Sequence, residues 1–132
     1  MNQAMFEKWL DAYGSAWERQ DPDAAAAIFS ENGTYAWGPF TEPIKGQEAI
    51  RAAWEYATQG QQAGIKFDYE VLGVVDGRGI ARWWASMESL PSRTTVRMEG
   101  IFLVTLGEDG RCDVFREWWN EDPPATGASR YE

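Results

Sequence analysis

Two hydrophobic periods divide the chain. From Asn2 to about Gln20, apolar side chains fall at Met5, Phe6, Trp9, Leu10, Tyr13, Ala16 and Trp17, the spacing of one buried face of an amphipathic helix. Asp21-Pro22 supplies a cap and a favourable first helical residue, so a short second helix is predicted through Asp23 to Phe29, closed by a turn at Asn32-Gly33. Thr34 to Trp37 reads as a short strand before the breakers Gly38, Pro39 and Pro43. A third helix starts near Gln47, turns Ile50, Ala53, Trp54 and Ala57 inward, and closes at Gly60.

After Gly64 the period falls to two. Strands are predicted over Ile65 to Val75, Ile80 to about Leu90, Thr94 to Leu106 and Arg111 to Asn120, separated by turns at 76–79, Pro91-Ser92 and 107–110. Short turns between consecutive strands make an antiparallel meander. The last strand is unusual because neither face is plainly solvent: Phe115, Glu117 and Trp119 share one side, Val114, Arg116 and Trp118 the other. The predicted fold is α+β: three N-terminal helices on a curved, mainly antiparallel sheet, in one domain over 1–132, with a core of about 5–120 and a loose tail from 121.

Composition narrows the chemistry. At 132 residues the chain can bury roughly two-thirds of its unfolded surface around a single core. A net charge of −9 with 12 scattered Lys and Arg argues against nucleic acid. No basic leader and no long apolar run is seen, so a cytoplasmic protein without a membrane partner is expected. The absence of histidine removes Ser-His and Cys-His mechanisms and the commonest metal ligand, and the single cysteine, Cys112, has no CxxC partner; neither a metal nor an organic cofactor is expected. Eight tryptophans point either to a pocket for something apolar or to an aromatic core.

The segments AWERQDPDAAAAIFSENGTY, PFTEPIKGQEAIRAAW and MEGIFLVTLGEDGRCDVFREWW, with their spacing, resemble the SnoaL-like branch of the nuclear transport factor 2-like superfamily over about Met5 to Asn120. The resemblance implies a cone-shaped α+β half-barrel enclosing an apolar pocket, often a homodimer built on the outer face of the sheet, there including Trp118 and Trp83. Among relatives with chemistry, limonene-epoxide-hydrolase-like proteins match in polar placement: their water-holding Tyr falls on Tyr35, their final-strand acid on Glu117, and their middle-strand Arg on Arg82. Their Asn and second acid fall on Trp37 and Trp84, which leaves the water clamp incomplete. Ketosteroid-isomerase-like relatives place an oxyanion-hole Tyr on Tyr13, with their base on Trp37 and a second oxyanion group near Phe102.

These residues define the expected site. Glu117, between Phe115 and Trp119, should have its charged form disfavoured by desolvation, which suits a general base; the alternative is a buried ion pair with Arg82. By the family register Arg82 shares the inner face with Trp84, there to orient Glu117 or bind a substrate oxygen; the alternative is an Arg reaching solvent at an edge. Tyr35 would assist catalysis, while Tyr13, Trp37, Trp84, Phe102, Phe115 and Trp119 would wall the pocket, with satisfied core tyrosines and ordinary packing as the alternatives. Glu99 falls on the opposite face from Phe102. The expected function is binding of a small apolar molecule with hydration-, isomerisation- or cyclisation-type acid/base chemistry; the alternative is a non-catalytic binding or dimeric interaction domain in which Trp37 and Trp84 replace catalytic groups.

Overall fold

The computed structural model describes residues 1–124. Helix α1 (Gln3–Glu18) is capped by the Asn2 side chain, which accepts the Met5 N–H at 2.9 Å. Its predicted stripe is buried, and each large side chain removed from water there contributes about 1.5–3 kcal/mol. Asp21 caps α2 (Pro22–Ala27) by accepting the Ala24 N–H at 3.0 Å, with Pro22 in the first turn. Helix α3 (Gln47–Thr58) follows a two-residue strand, β2 (Ile44–Lys45), that the sequence pattern did not announce. At the end of α1, the Gln20 side-chain amide donates to the Thr58 carbonyl at 2.6 Å and the Gln62 carbonyl at 2.7 Å. These two bonds tie all three segments together.

Strand β1 (Phe29–Ala36) corrects the expected boundary. Phe29 opens the strand instead of closing α2, and Asn32-Gly33 lies inside it as an irregularity instead of a turn. The reason is tertiary: Phe29 lies opposite Cys112 while Thr34 lies opposite Val114, so the intervening β1 residues bulge from the pairing with the final strand. That pairing is parallel, between segments some eighty residues apart, and local signals could not specify it.

The remaining strands are β3 (Gln62–Val75), β4 (Arg78–Ser89), β5 (Thr94–Leu106) and β6 (Cys112–Asp122). The β3–β4 turn is shorter than expected, two residues, Asp76-Gly77, both with positive φ of 52° and 73°. Those angles match the twist of the flanking strands. The sheet order is β2-β1-β6-β5-β4-β3, so β6 is an interior strand, parallel to β1 and antiparallel to β5. The fold is α+β, three helices on one face of a curved, unclosed sheet. The β5–β6 pairing needs Gly100: a Cβ there would sit 1.8 Å from the Trp118 carbonyl oxygen, so only glycine lets β5 approach β6 this closely. The core is aromatic, with Phe6, Leu10, Phe29, Trp83, Phe102 and Phe115 sealed between α1 and the sheet. No helix among the described residues is long and apolar enough to cross a membrane. The loose tail predicted from 121 lies, from 125 on, outside the described residues.

Candidate functional site

The inward row of β6 places Phe115, Glu117 and the partly buried Trp119 beneath the helices. Phe115 is sealed in the core, whereas Glu117, 7% exposed, opens on a cavity of about 130 Å³. Tyr13 and Trp17 of α1, Ile50 and Trp54 of α3, Tyr35 and Ile44 of β1 and β2, and Trp83, Met98 and Trp119 of the sheet form most of its wall. Glu117 is the one carboxylate among the described lining residues.

Three hydroxyl and carboxyl groups line up at the floor. The Tyr35 hydroxyl donates to Glu117 Oε1 at 3.3 Å, and the Tyr13 and Tyr35 hydroxyls lie 3.3 Å apart. Because the single Tyr35 proton goes to the carboxylate, Tyr13 is the donor to Tyr35. The chain runs Tyr13 to Tyr35 to Glu117. Both contacts are longer than the usual O–H···O bond, a looseness common in catalytic groups before a ligand is seated. Burial first, and the Glu117 charge second, push both phenols well above their ordinary pKa, so both remain donors. The rings are fixed by packing: Tyr35 stacks on Phe115 at 4.5 Å, and Tyr13 on the same ring at 5.6 Å. Two other polar groups of the wall are consumed locally, Trp17 Nε1 by Gln62 Oε1 at 3.0 Å and the Thr58 hydroxyl by the Trp54 carbonyl at 2.7 Å.

Of the nine expected site residues, Glu117, Tyr35, Tyr13, Trp37 and Trp119 meet at this cavity. Trp37 stands edge-on to Tyr35 at its rim, 37% exposed. Phe102 and Phe115 are fully buried in the core behind Tyr13 and are not part of the wall.

Arg82 and Trp84 correct the expected register. Both lie on the opposite face of the sheet, where Arg82 pairs with Glu99 and its guanidinium stacks 4.3 Å from the Trp84 ring centre. The Arg82–Glu117 pair therefore does not form, and Trp83 lies inside, 2% exposed, instead of on the outer face with Trp118. Adjacent tryptophans concealed the phase of β4. The signal that resolves it is the polar character of Arg82, Ser86 and Glu88 against Ala81, Ala85 and Met87, which puts odd positions inward. Trp83 was missed for this reason, and Ile44 because its two-residue strand has no period to read; Met98, on β5, was legible as inward from its alternation with Phe102 but was not named. Trp17, Ile50 and Trp54 were legible as buried helix positions but not as a cavity wall. Among the described residues, no group of three or more His, Cys, Asp or Glu could hold a metal ion.

A family model for the SnoaL-like domain matches residues 7–115. The chain belongs to the SnoaL-like family. The solved structures similar to this SnoaL-like domain include SalBIII, an epoxide hydrolase/cyclase-like enzyme described for pyran ring formation in the polyether salinomycin, at 21% identity over 86% of this chain and 89% of that one, with a TM-score of 0.74. A candidate isomerase from Bacillus subtilis is also 21% identical, over 91% of this chain and 90% of its own, with a TM-score of 0.75. At that identity the likeness carries the fold of the SnoaL-like domain, not its activity. No curated protein sequence matches the chain.

Proposed function

We propose that this SnoaL-like domain binds a small apolar molecule in the cavity between helices and sheet and performs acid/base chemistry on it with Glu117 as the proton-transferring group. The reading rests on one observation: a buried carboxylate, the one acid among the described lining residues of an apolar cavity, bonded by a relay of two protonated phenols. Glu117 would take a proton from a carbon acid or an attacking water, and Tyr35 and Tyr13 would hold the carboxylate and move its hydrogen bonds as the charge changes. Isomerisation, hydration and cyclisation all begin with such a transfer, and the cyclase-like and isomerase-like similarities fall within that range. Arg82 has no part in this chemistry.

Glu117→Gln keeps the shape and the Tyr35 bond while removing the base. Turnover of a substrate found by screening small cyclic ketones and epoxides should fall by on the order of a hundredfold or more with the fold retained. Unchanged turnover refutes the assignment of Glu117.

A second, non-catalytic reading draws on the absence of another acid from the described wall and on Trp37 at the rim, where the family pattern carries a polar group. Ligand retention without turnover of any screened substrate supports it. In either case we propose a homodimer through the outer face, where Ile101, Leu103 and Trp118 present apolar surface on adjacent strands; light scattering tests it.

A further inference from the structure

Trp83, a residue of the cavity wall, carries a buried polar atom that no described residue satisfies. Trp83 Nε1 is fully buried and has no hydrogen-bond partner among the described residues. Three other indoles are satisfied: Trp9 donates to the Ile28 carbonyl at 2.9 Å, Trp17 to Gln62 at 3.0 Å and Trp119 to Glu121 at 3.0 Å. A buried donor left unpaired is costly, and native structures keep few of them. The rings packed on Trp83 offer no lone pair: Phe102 stacks on it at 5.0 Å, Phe67 at 6.3 Å, and Trp17 meets it edge-on at 5.7 Å. The indole cannot turn away to find water, because those three rings hold it.

Trp83 also lines the cavity, and in the sheet it lies apart from Glu117. Trp83, Gly100 and Trp119 form one cross-strand row; Ala81, Phe102 and Glu117 form another, offset by two residues. Between Trp83 and Trp119 in the first row, Gly100 contributes no side chain. Trp83 and Glu117 thus stand two strands and two residues apart in the register of the sheet, with the buried indole N–H on the first and the two phenols beside the second. The cavity volume limits what fits. At about 130 Å³ the cavity is close to the roughly 150 Å³ engineered apolar cavity that admits one benzene molecule.

We propose that the ligand is a monocyclic carbonyl compound, one six-membered ring in size within the cavity, whose oxygen accepts the Trp83 Nε1–H while its ring faces Glu117. This deepens the pocket reading above and rests on it. Trp83 is then the residue that selects an oxygen-bearing ring over a hydrocarbon of the same shape. Met98, a flexible side chain in the same wall, gives way as the oxygen reaches the indole.

The test uses two probes of equal shape, cyclohexanone and methylenecyclohexane, added to the full chain with indole ¹⁵N–¹H resonances assigned. Cyclohexanone should move the Trp83 indole proton downfield and bind about fivefold more tightly than methylenecyclohexane, the factor expected for one net hydrogen bond. W83F should erase that preference while still binding methylenecyclohexane. Equal affinity of the two probes for the wild type overturns the proposal, as does a preference that leaves the Trp83 resonance unmoved. Should W83F fail to fold, the wild-type resonance decides. Binding of neither probe overturns both the ligand class and the pocket reading. Deuterium exchange α to the carbonyl of bound cyclohexanone separates the two ideas: exchange indifferent to Glu117→Gln, with the Trp83 shift intact, removes the acid/base role and leaves the ligand class standing.

Discussion

Replacing Tyr35 by Phe removes one oxygen from the floor of the cavity and leaves the ring stacked on Phe115 at 4.5 Å and tilted against Phe29 at 5.7 Å. What disappears is a donor to Glu117 Oε1 and the acceptor of the Tyr13 hydroxyl. A hydrogen bond to a charged acceptor is worth about 1.5–3 kcal/mol, and one to a neutral acceptor about 0.5–1.5 kcal/mol. At 3.3 Å the Tyr35 bond belongs at the lower end of each range, and Glu117, 7% exposed, gains little from solvent screening. The variant should therefore lose about 1.5 kcal/mol when Glu117 is ionised and about 0.5 kcal/mol when it is protonated. The sign follows from linkage. Tyr35 favours the charged form of Glu117, so its contribution is larger where the carboxylate is ionised and smaller where it is protonated. Urea denaturation of wild type and Tyr35→Phe at intervals from about pH 4 to about pH 9 measures this; roughly 1 kcal/mol shifts the thermal midpoint by about 4 °C in a domain this size. Tyr13→Phe is the control: it removes a donor to a neutral oxygen and should show a smaller, flatter loss. A Tyr35→Phe penalty at about pH 9 no larger than that of Tyr13→Phe, within about 0.3 kcal/mol, refutes the claim that the hydroxyl supports a carboxylate.

The outer-face pair gives the converse expectation: Arg82→Ala should cost no more than about 1 kcal/mol and leave cyclohexanone affinity unchanged, since it removes a solvent-exposed pair with Glu99 and a stacking contact with Trp84. A large loss of binding would return Arg82 to the site. Gly100→Ala should destabilise by about 3 kcal/mol, because its Cβ meets the Trp118 carbonyl at 1.8 Å and β5 and β6 must separate to admit it; a urea midpoint near wild type would show that the strands yield freely. Cys112 is fully buried, and burial followed by the Asp113 charge pushes its thiol well above the ordinary range, so a thiol reagent should label it only after denaturation.

Both predictions that concern strand faces turn on the same division. The helical stripe of α1, the Asp21-Pro22 start of α2, the Ile50–Trp54 face of α3 and the alternation of β6 are local patterns, and local patterns fixed which of their side chains are buried. Glu117 was legible for that reason: a carboxylate in an alternating aromatic row has nowhere to point but inward. Tyr13 and Tyr35 could be named as candidates but not joined, because their contact spans an α1–β1 separation that no period encodes.

Strand phase in β4 was decided only by pairing. Trp83 and Trp84 are both compatible with a buried position, and the choice went to Trp83 because its row also holds Ala81, Ala85 and Met87 beneath α1. A one-residue slip exchanges the two faces, so Arg82 went outward to Glu99 with Trp84. The β1–β6 parallel pairing, the bulge that absorbs Asn32-Gly33 and the cavity itself are likewise tertiary. Sequence periodicity reports which side of an element is apolar; the volume left between packed elements depends on how closely their backbones approach, and contacts remote in the chain, such as Tyr13 with Tyr35 and Gln20 with Thr58 and Gln62, join the elements that enclose it.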